Sequence, residues 1–314
     1  MNRSGVDCQA TDSKAKLSDP VLLISDYASQ PMEFWADVRT VSQGVGYTVR
    51  GEDRIRVPTA VEVAEYYDRL NLNSGHLVSG RMWTSTGRLL FDYLRYRAEV
   101  LEQSVKPLLM DAQQAKALYE VQRDELRPRL EPPMNKQRGE KRQIAYLSAL
   151  VNMAVEAAIQ GYPCDYDPKS LTLVTQGDRP LRTLARRLDG AFPSVVDPVA
   201  IWEVKEYYHT TTFGSRIADG VYETLLDGME LKELREASGI HVRHYLMIDA
   251  YKTWWEDGKS YLCRMIDMAY MGYVDEVLFG REVVDRIPQL AKAWITELEL
   301  RQQPGTPNPQ NRLL

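Results

Sequence analysis

Apolar positions recur at helical spacing through the first half of the chain. After Thr59, the residues Val61, Val63, Ala64, Tyr67 and Leu70 fall at roughly three- and four-residue intervals, the period of a helix that buries one side. Thr59 followed by Glu62 has the spacing of a capping box, in which each side chain satisfies the other's backbone amide. The stretch TSTGRLLFDYLRYRAEVLEQSV repeats the signature, with a Ser/Thr start before Leu89, Leu90, Tyr93, Leu94 and Val100. A third helix is expected over about 111–126. The prolines and alternating charges of RPRLEPPMNKQRGEKR, residues 127–142, then read as a linker or exposed loop.

Beyond this break the pattern changes. IAYLSALVNMAVEAAIQG predicts an amphipathic helix ending at Gly161. SLTLVTQG, LRTLARRLDGAFP and VAIWEVKEYY read as three strands, the last two separated by the turn-like SVVDP. RIADGVYETLLDGMELKELREAS predicts a helix, VRHYLMIDAYKTWW a further strand, and about 282–299 a final helix. This order predicts an α/β fold, a mixed central sheet flanked by helices, with a mostly helical N-terminal region. The expected divisions are a flexible leader 1–20, a helical region 21–130, an α/β domain 142–300 and a disordered tail 301–314.

Composition narrows the classes. The chain has 314 residues, 44% hydrophobic and 26% charged, which excludes a mainly disordered protein. The net charge of −5 excludes a polycation, so contact with nucleic acid must come from local patches. No apolar run approaches the roughly 20 residues of a membrane span, and the polar start MNRSGVDCQATDSKAKLSDP lacks a signal-peptide core. Cys8, Cys164 and Cys263 are far apart and lack CxxC spacing, which supports neither a disulfide framework nor a zinc site. A cytoplasmic protein with no membrane partner is the expectation.

The chemistry concentrates in RRLDGAFPSVVDPVAIWEVKEYY, residues 186–208. With the turn centred near Val196, Asp189 falls directly across the hairpin from Glu203, and cross-strand partners share a face at roughly 5 Å. Strand alternation puts Lys205 on that face as well. Two clustered carboxylates repel unless a cation joins them. A hard divalent ion such as Mg²⁺ takes oxygen ligands; it can polarise a phosphodiester oxygen and acidify a bound water. Lys205 is then placed to orient that water or to stabilise charge building on the phosphate. The triplet D/E-x-K occurs five times in the chain, but only the one at 203–205 lies in a strand-like run with a second acid in register.

This arrangement resembles the PD-(D/E)xK nuclease superfamily, the fold of many restriction endonucleases. The matching residues are Asp189, then Glu203-Val204-Lys205, with Glu156 in NMAVEAAIQG as the acid from the preceding helix. The helix–strand–strand–strand–helix–strand order also matches over 142–255. Leu188 stands where the family often has proline, and Asp197 in VVDP is a rival first acid, six residues before Glu203. The resemblance implies a restriction-endonuclease-like core and catalysis by Asp189, Glu203, Lys205 and Glu156. It implies Mg²⁺, with Mn²⁺ as a substitute, held by Asp189, Glu203 and the carbonyl of Val204. The implied partner is double-stranded DNA, cut by a homodimer in a restriction or phage-defence role beside a cognate DNA methyltransferase.

Several neighbouring residues suit phosphate contacts. Arg186 and Arg187 lie just ahead of Asp189, and Thr211, Thr212, Ser215 and Arg216 precede a helix N-terminus. KQRGEKR at 136–142 is a second basic patch. His209 lies near the same place, while His241 and His244 show no metal spacing and read as sheet or loop residues. Tyr66, Tyr67, Trp254 and Trp255 read as core. The N-terminal helices are expected to serve recognition or dimerisation, with only faint helix-turn-helix spacing over 59–78. The alternatives are a repair or recombination nuclease of the same superfamily and a non-enzymatic DNA-binding or interaction protein.

Overall fold

The computed structural model describes residues 25–49, 51–135, 139, 142–209 and 215–302. The expected leader 1–20, most of the basic patch at 136–142 and the tail from 303 lie outside the described residues. Residues 301 and 302, expected in that tail, continue the last helix.

The first half is helical as its periodicity predicts. Helices α1 (Ser25–Ala28), α2 (Met32–Val45) and α3 (Ala60–Arg69) come first. Thr59 caps α3: the Glu62 carboxylate accepts the Thr59 N–H at 2.8 Å, and the Thr59 hydroxyl accepts from the Glu62 N–H. A small hairpin of β1 (Val78–Ser79) and β2 (Met82–Trp83) separates α3 from α4 (Ser85–Glu99), so the segment around 59–78 is not a helix-turn-helix. The chain continues through a π-helical stretch Val100–Val105 and a 3-10 turn Lys106–Leu108 to α5 (Ala112–Leu126) and α6 (Tyr146–Ala158).

The strands depart from the expected assignment in an instructive way. The first strand of the central sheet is the two-residue β3 (Asp165–Tyr166). SLTLVTQG instead forms β4 (Leu173–Gln176), which pairs with β5 (Arg179–Thr183) in a separate two-stranded ribbon. The run 181–193, expected as one strand, is broken after Thr183 and resumes as β6 (Gly190–Phe192). It then pairs antiparallel with β7 (Ala200–Glu206). Helix α7 (Ser215–Ser238) crosses over to β8 (Arg243–Asp249), and α8 (Lys259–Tyr270) to β9 (Glu276–Phe279); α9 (Val283–Gln302) closes the chain. The sheet order is β3-β6-β7-β8-β9, with β7, β8 and β9 parallel and β3, β6 and β7 antiparallel in sequence. The strand expected over 242–255 stops at Asp249. Ala250 has φ 121, which ends the extended ladder, and Lys252–Asp257 turn helical and bury Trp254 and Trp255.

Alternation along β7 assigns its two faces. Trp202 points into a core with α5, α6 and α9, stacked on Trp294 at 5.6 Å. Ile201 points the other way, into a cluster with Leu231 and Leu234 of α7. Ala115 and Tyr119 bury α5 against the α/β half. Helices α2, α3 and α4 share one continuous core with α7, α8, β8 and β9.

Candidate active site

The β6–β7 hairpin has the register its sequence predicts. Gly190 pairs with Trp202, Ala191 with Ile201 and Phe192 with Ala200; the ladder ends at Gly190, and the Asp189 N–H donates to the Trp202 carbonyl at 3.1 Å. Gly190 is required there: a Cβ at this position would lie 2.1 Å from the Trp202 indole. The small residue lets the strands close over that ring and leaves Asp189 at the mouth of the hairpin.

Glu203 and Lys205 share the face of β7 that meets α7. The Lys205 ammonium lies 2.5 Å from Glu203 Oε1 and 2.7 Å from Glu223 Oε2. Helix α7 approaches closely at this level because position 220 is glycine; a Cβ there would meet Tyr207 Oη at 3.2 Å and Lys205 Cδ at 3.3 Å. Burial alone pulls the Lys205 ammonium toward neutrality, but the charges and hydrogen bonds of Glu203 and Glu223 outweigh it and hold its pKa above the ordinary lysine value. Lys205 therefore stays a cation at neutral pH.

Asp189 takes a different partner from the expected one. Its Oδ2 accepts the Val204 N–H at 2.8 Å, which secures the backbone between Glu203 and Lys205. Arg186, expected to face a phosphate, instead turns inward. Its Nη2 donates to Glu203 Oε1 at 2.7 Å and approaches Glu223 Oε2 at 3.3 Å, while Nη1 donates to Asp227 Oδ2 at 2.7 Å. Asp227 is completely buried on α7. Burial pushes its carboxyl up to about 7, against the pull of the Arg186 charge.

The other expected site residues lie elsewhere. Glu156 sits near the C-terminal end of α6 and accepts from the Arg129 N–H at 3.0 Å, the Arg129 Nε at 3.2 Å and the Leu130 N–H at 3.4 Å. Its bonding is to the segment after α5, not to Glu203 or Lys205. The rival acid Asp197 accepts from the Thr175 N–H and hydroxyl, both at 2.7 Å, and so ties the β4–β5 ribbon to the turn. Arg187 is exposed. Thr211 and Thr212, and the side chains of Ser215 and Arg216, lie outside the described residues. His241 pairs with Asp275 at 3.0 Å, and His244 is buried with Nδ1 2.9 Å from the Tyr273 carbonyl.

Sequence reasoning missed Glu223 and Asp227. They lie four residues apart on α7, and Asp227 falls among Thr224, Gly228 and Leu231 on the buried side. An acid on the apolar face of a helix just after the E-x-K strand is the signal that marks them.

Three carboxylates (Glu203, Glu223 and Asp227) pair with two cations (Arg186 and Lys205), an excess of one negative charge when all are ionised. Glu203 is 3% exposed, and its Oε2 is buried without a hydrogen-bond partner. A buried carboxylate oxygen lacking a donor is costly unless something positive meets it. Among the described residues, no three or more His, Cys, Asp or Glu side chains form a metal cage; the expected ligand set has only two carboxylates and a carbonyl.

Behind β7, on the α6 side, lies a second acidic pair. Glu206 accepts from the Leu147 N–H at 2.6 Å and the Ser148 N–H at 3.3 Å. Its register partner Asp249 accepts from Tyr208 Oη at 2.6 Å and the Met110 N–H at 2.8 Å. Burial raises Glu206 to about 8 and Asp249 to about 7, despite these hydrogen bonds.

Fold and site thus define a mixed α/β protein with a buried charge cluster on the central hairpin. A family described as "Domain of unknown function (DUF7687)" matches residues 110–294, more than half of the chain, and the protein belongs to it. A second, "Domain of unknown function (DUF7690)", matches residues 23–104. No curated protein and no solved structure matches the chain. Among the described residues no helix is long and apolar enough to cross a membrane.

Proposed function

We propose that the protein is a metal-dependent endonuclease with a restriction-endonuclease-like core, acting on double-stranded DNA in a restriction or phage-defence role. The carrying observation is the partnerless, buried Oε2 of Glu203 on a β7 strand whose Lys205 projects from the same face. The α6-β3-β6-β7-α7-β8 succession supports the core assignment.

Asp189, Glu203 and the Val204 carbonyl are the groups to hold Mg²⁺ or Mn²⁺. The bound ion supplies positive charge to a phosphodiester oxygen and makes water a better acid. Lys205 remains charged at neutral pH, so it orients the attacking water and offsets negative charge growing on the phosphate. Asp189 holds the Val204 amide and fixes the strand that carries both groups. Cutting both strands calls for two copies of such a site, hence a homodimer, and a restriction role calls for a cognate DNA methyltransferase to protect host DNA.

A second reading, a non-enzymatic DNA-binding or interaction protein, draws on the same cluster, because Arg186 and Lys205 already pair with Glu203 and Glu223. Cleavage separates the two. Wild-type protein with Mg²⁺ is expected to nick or linearise plasmid or phage DNA, and EDTA, Glu203→Ala and Lys205→Ala are each expected to abolish this. Absence of cleavage on plasmid, phage and structured DNA refutes the enzyme. Cleavage that both variants retain refutes the site.

A further inference from the structure

We propose that Arg186 is a positioning residue: it sets the orientation of the Glu203 carboxylate for the divalent ion, and Asp227 locks Arg186 in place. This rests on the nuclease reading and names two residues that reading does not use.

The geometry is specific to a guanidinium. One nitrogen of Arg186 donates to Glu203 on β7 and the other to Asp227 on α7, both at 2.7 Å. The planar fork therefore bolts the helix to the strand. Arg186 and Lys205 converge on the same Glu203 oxygen, Oε1. Turning the carboxylate would break two charge-assisted hydrogen bonds at once. The consequence is that Oε2 stays presented, buried and without a donor. Asp227 is 0% exposed, so the far end of the fork is anchored in the interior rather than in solvent. Glu223, by contrast, has a side chain 41% exposed and approaches Arg186 only at 3.3 Å. Lysine at 186 would keep the charge but has no fork to span two carboxylates.

The test measures ion binding by the full-length protein, with Mg²⁺ by calorimetry and Mn²⁺ by spin resonance, beside circular dichroism and thermal unfolding. Arg186→Lys leaves the net charge unchanged, so a loss of affinity reports orientation; about ten-fold weaker binding is expected. Asp227→Asn and Glu223→Gln each remove one negative charge from the cluster, and Asp227→Asn is expected to lose clearly more. Wild-type affinity in folded Arg186→Lys, or equal losses in Asp227→Asn and Glu223→Gln, overturns the positioning role. If Glu203→Gln still loses the ion in that case, the metal reading survives alone. Wild-type protein that binds neither ion overturns both.

Discussion

Asp249 offers a direct test of the electrostatics inside the sheet. It is 0% exposed, and burial raises its pKa from an ordinary 3.8 to about 7, with the Glu206 carboxyl beside it on β7 and Arg281 supplying a weaker opposing charge. In the unfolded chain the group ionises near its ordinary value, whereas in the folded protein it keeps its proton to near neutrality. The folded state therefore binds more protons between about pH 4 and 7. Its stability is fully present below the lower value and is lost as pH rises through the upper one. The displacement from 3.8 to about 7 is worth about 4 kcal/mol as an upper bound, at about 1.4 kcal/mol per unit. Asparagine is nearly isosteric and keeps the bonding: its oxygen can accept the Met110 and Ala250 N–H groups and its amide can donate to Tyr208 Oη, the three partners of the aspartate. Urea unfolding of wild type and Asp249→Asn at pH 5 and pH 8 measures the difference. The stability of the variant relative to wild type is expected to rise by about 2–3 kcal/mol from pH 5 to pH 8. An unchanged difference between the two pH values would refute a buried, proton-holding Asp249.

Two glycine substitutions bear on the site. Gly190→Ala drives a methyl group into the Trp202 ring, at 2.1 Å before any relaxation. A loss of about 1–3 kcal/mol is expected in thermal unfolding, and an unchanged midpoint would argue against the hairpin register. Gly220→Ala adds helix propensity worth about 1 kcal/mol but brings a Cβ 3.3 Å from Lys205. Stability is expected to hold or rise while the cleavage rate falls. A variant with wild-type turnover would mean that Lys205 has slack.

What the sequence made legible was local and periodic. The capping box at Thr59, the helix beginning near Ser85 and the β6–β7 register all follow from spacing alone, and the structure has them. The register was readable because Ala200, Ile201 and Trp202 are apolar and the turn has a clear centre. Short or uncapped elements escaped. β3 has two residues and β9 four, too few for a period to form, and α8 begins after Gly258 with no side-chain cap. The aromatic run ending in Trp254 and Trp255 reads as strand until the backbone turns at Ala250. The charge cluster was half readable. Glu203 and Lys205 are two apart on one strand, but Arg186 meets Asp227 across 41 residues, a pairing that only the crossover of α7 creates.

The shared core has a consequence for anyone cutting the chain into pieces. Tyr93 and Arg97 of α4 both bond Asp267 of α8 inside the apolar cluster that also holds Trp35 and Tyr270. A fragment starting after residue 109 would lose the partners of that aspartate and bare the aromatic surface beside it. The two matched segments are thus thermodynamic dependants, and an assay on the C-terminal piece alone would report the damage of the cut rather than the chemistry of the hairpin.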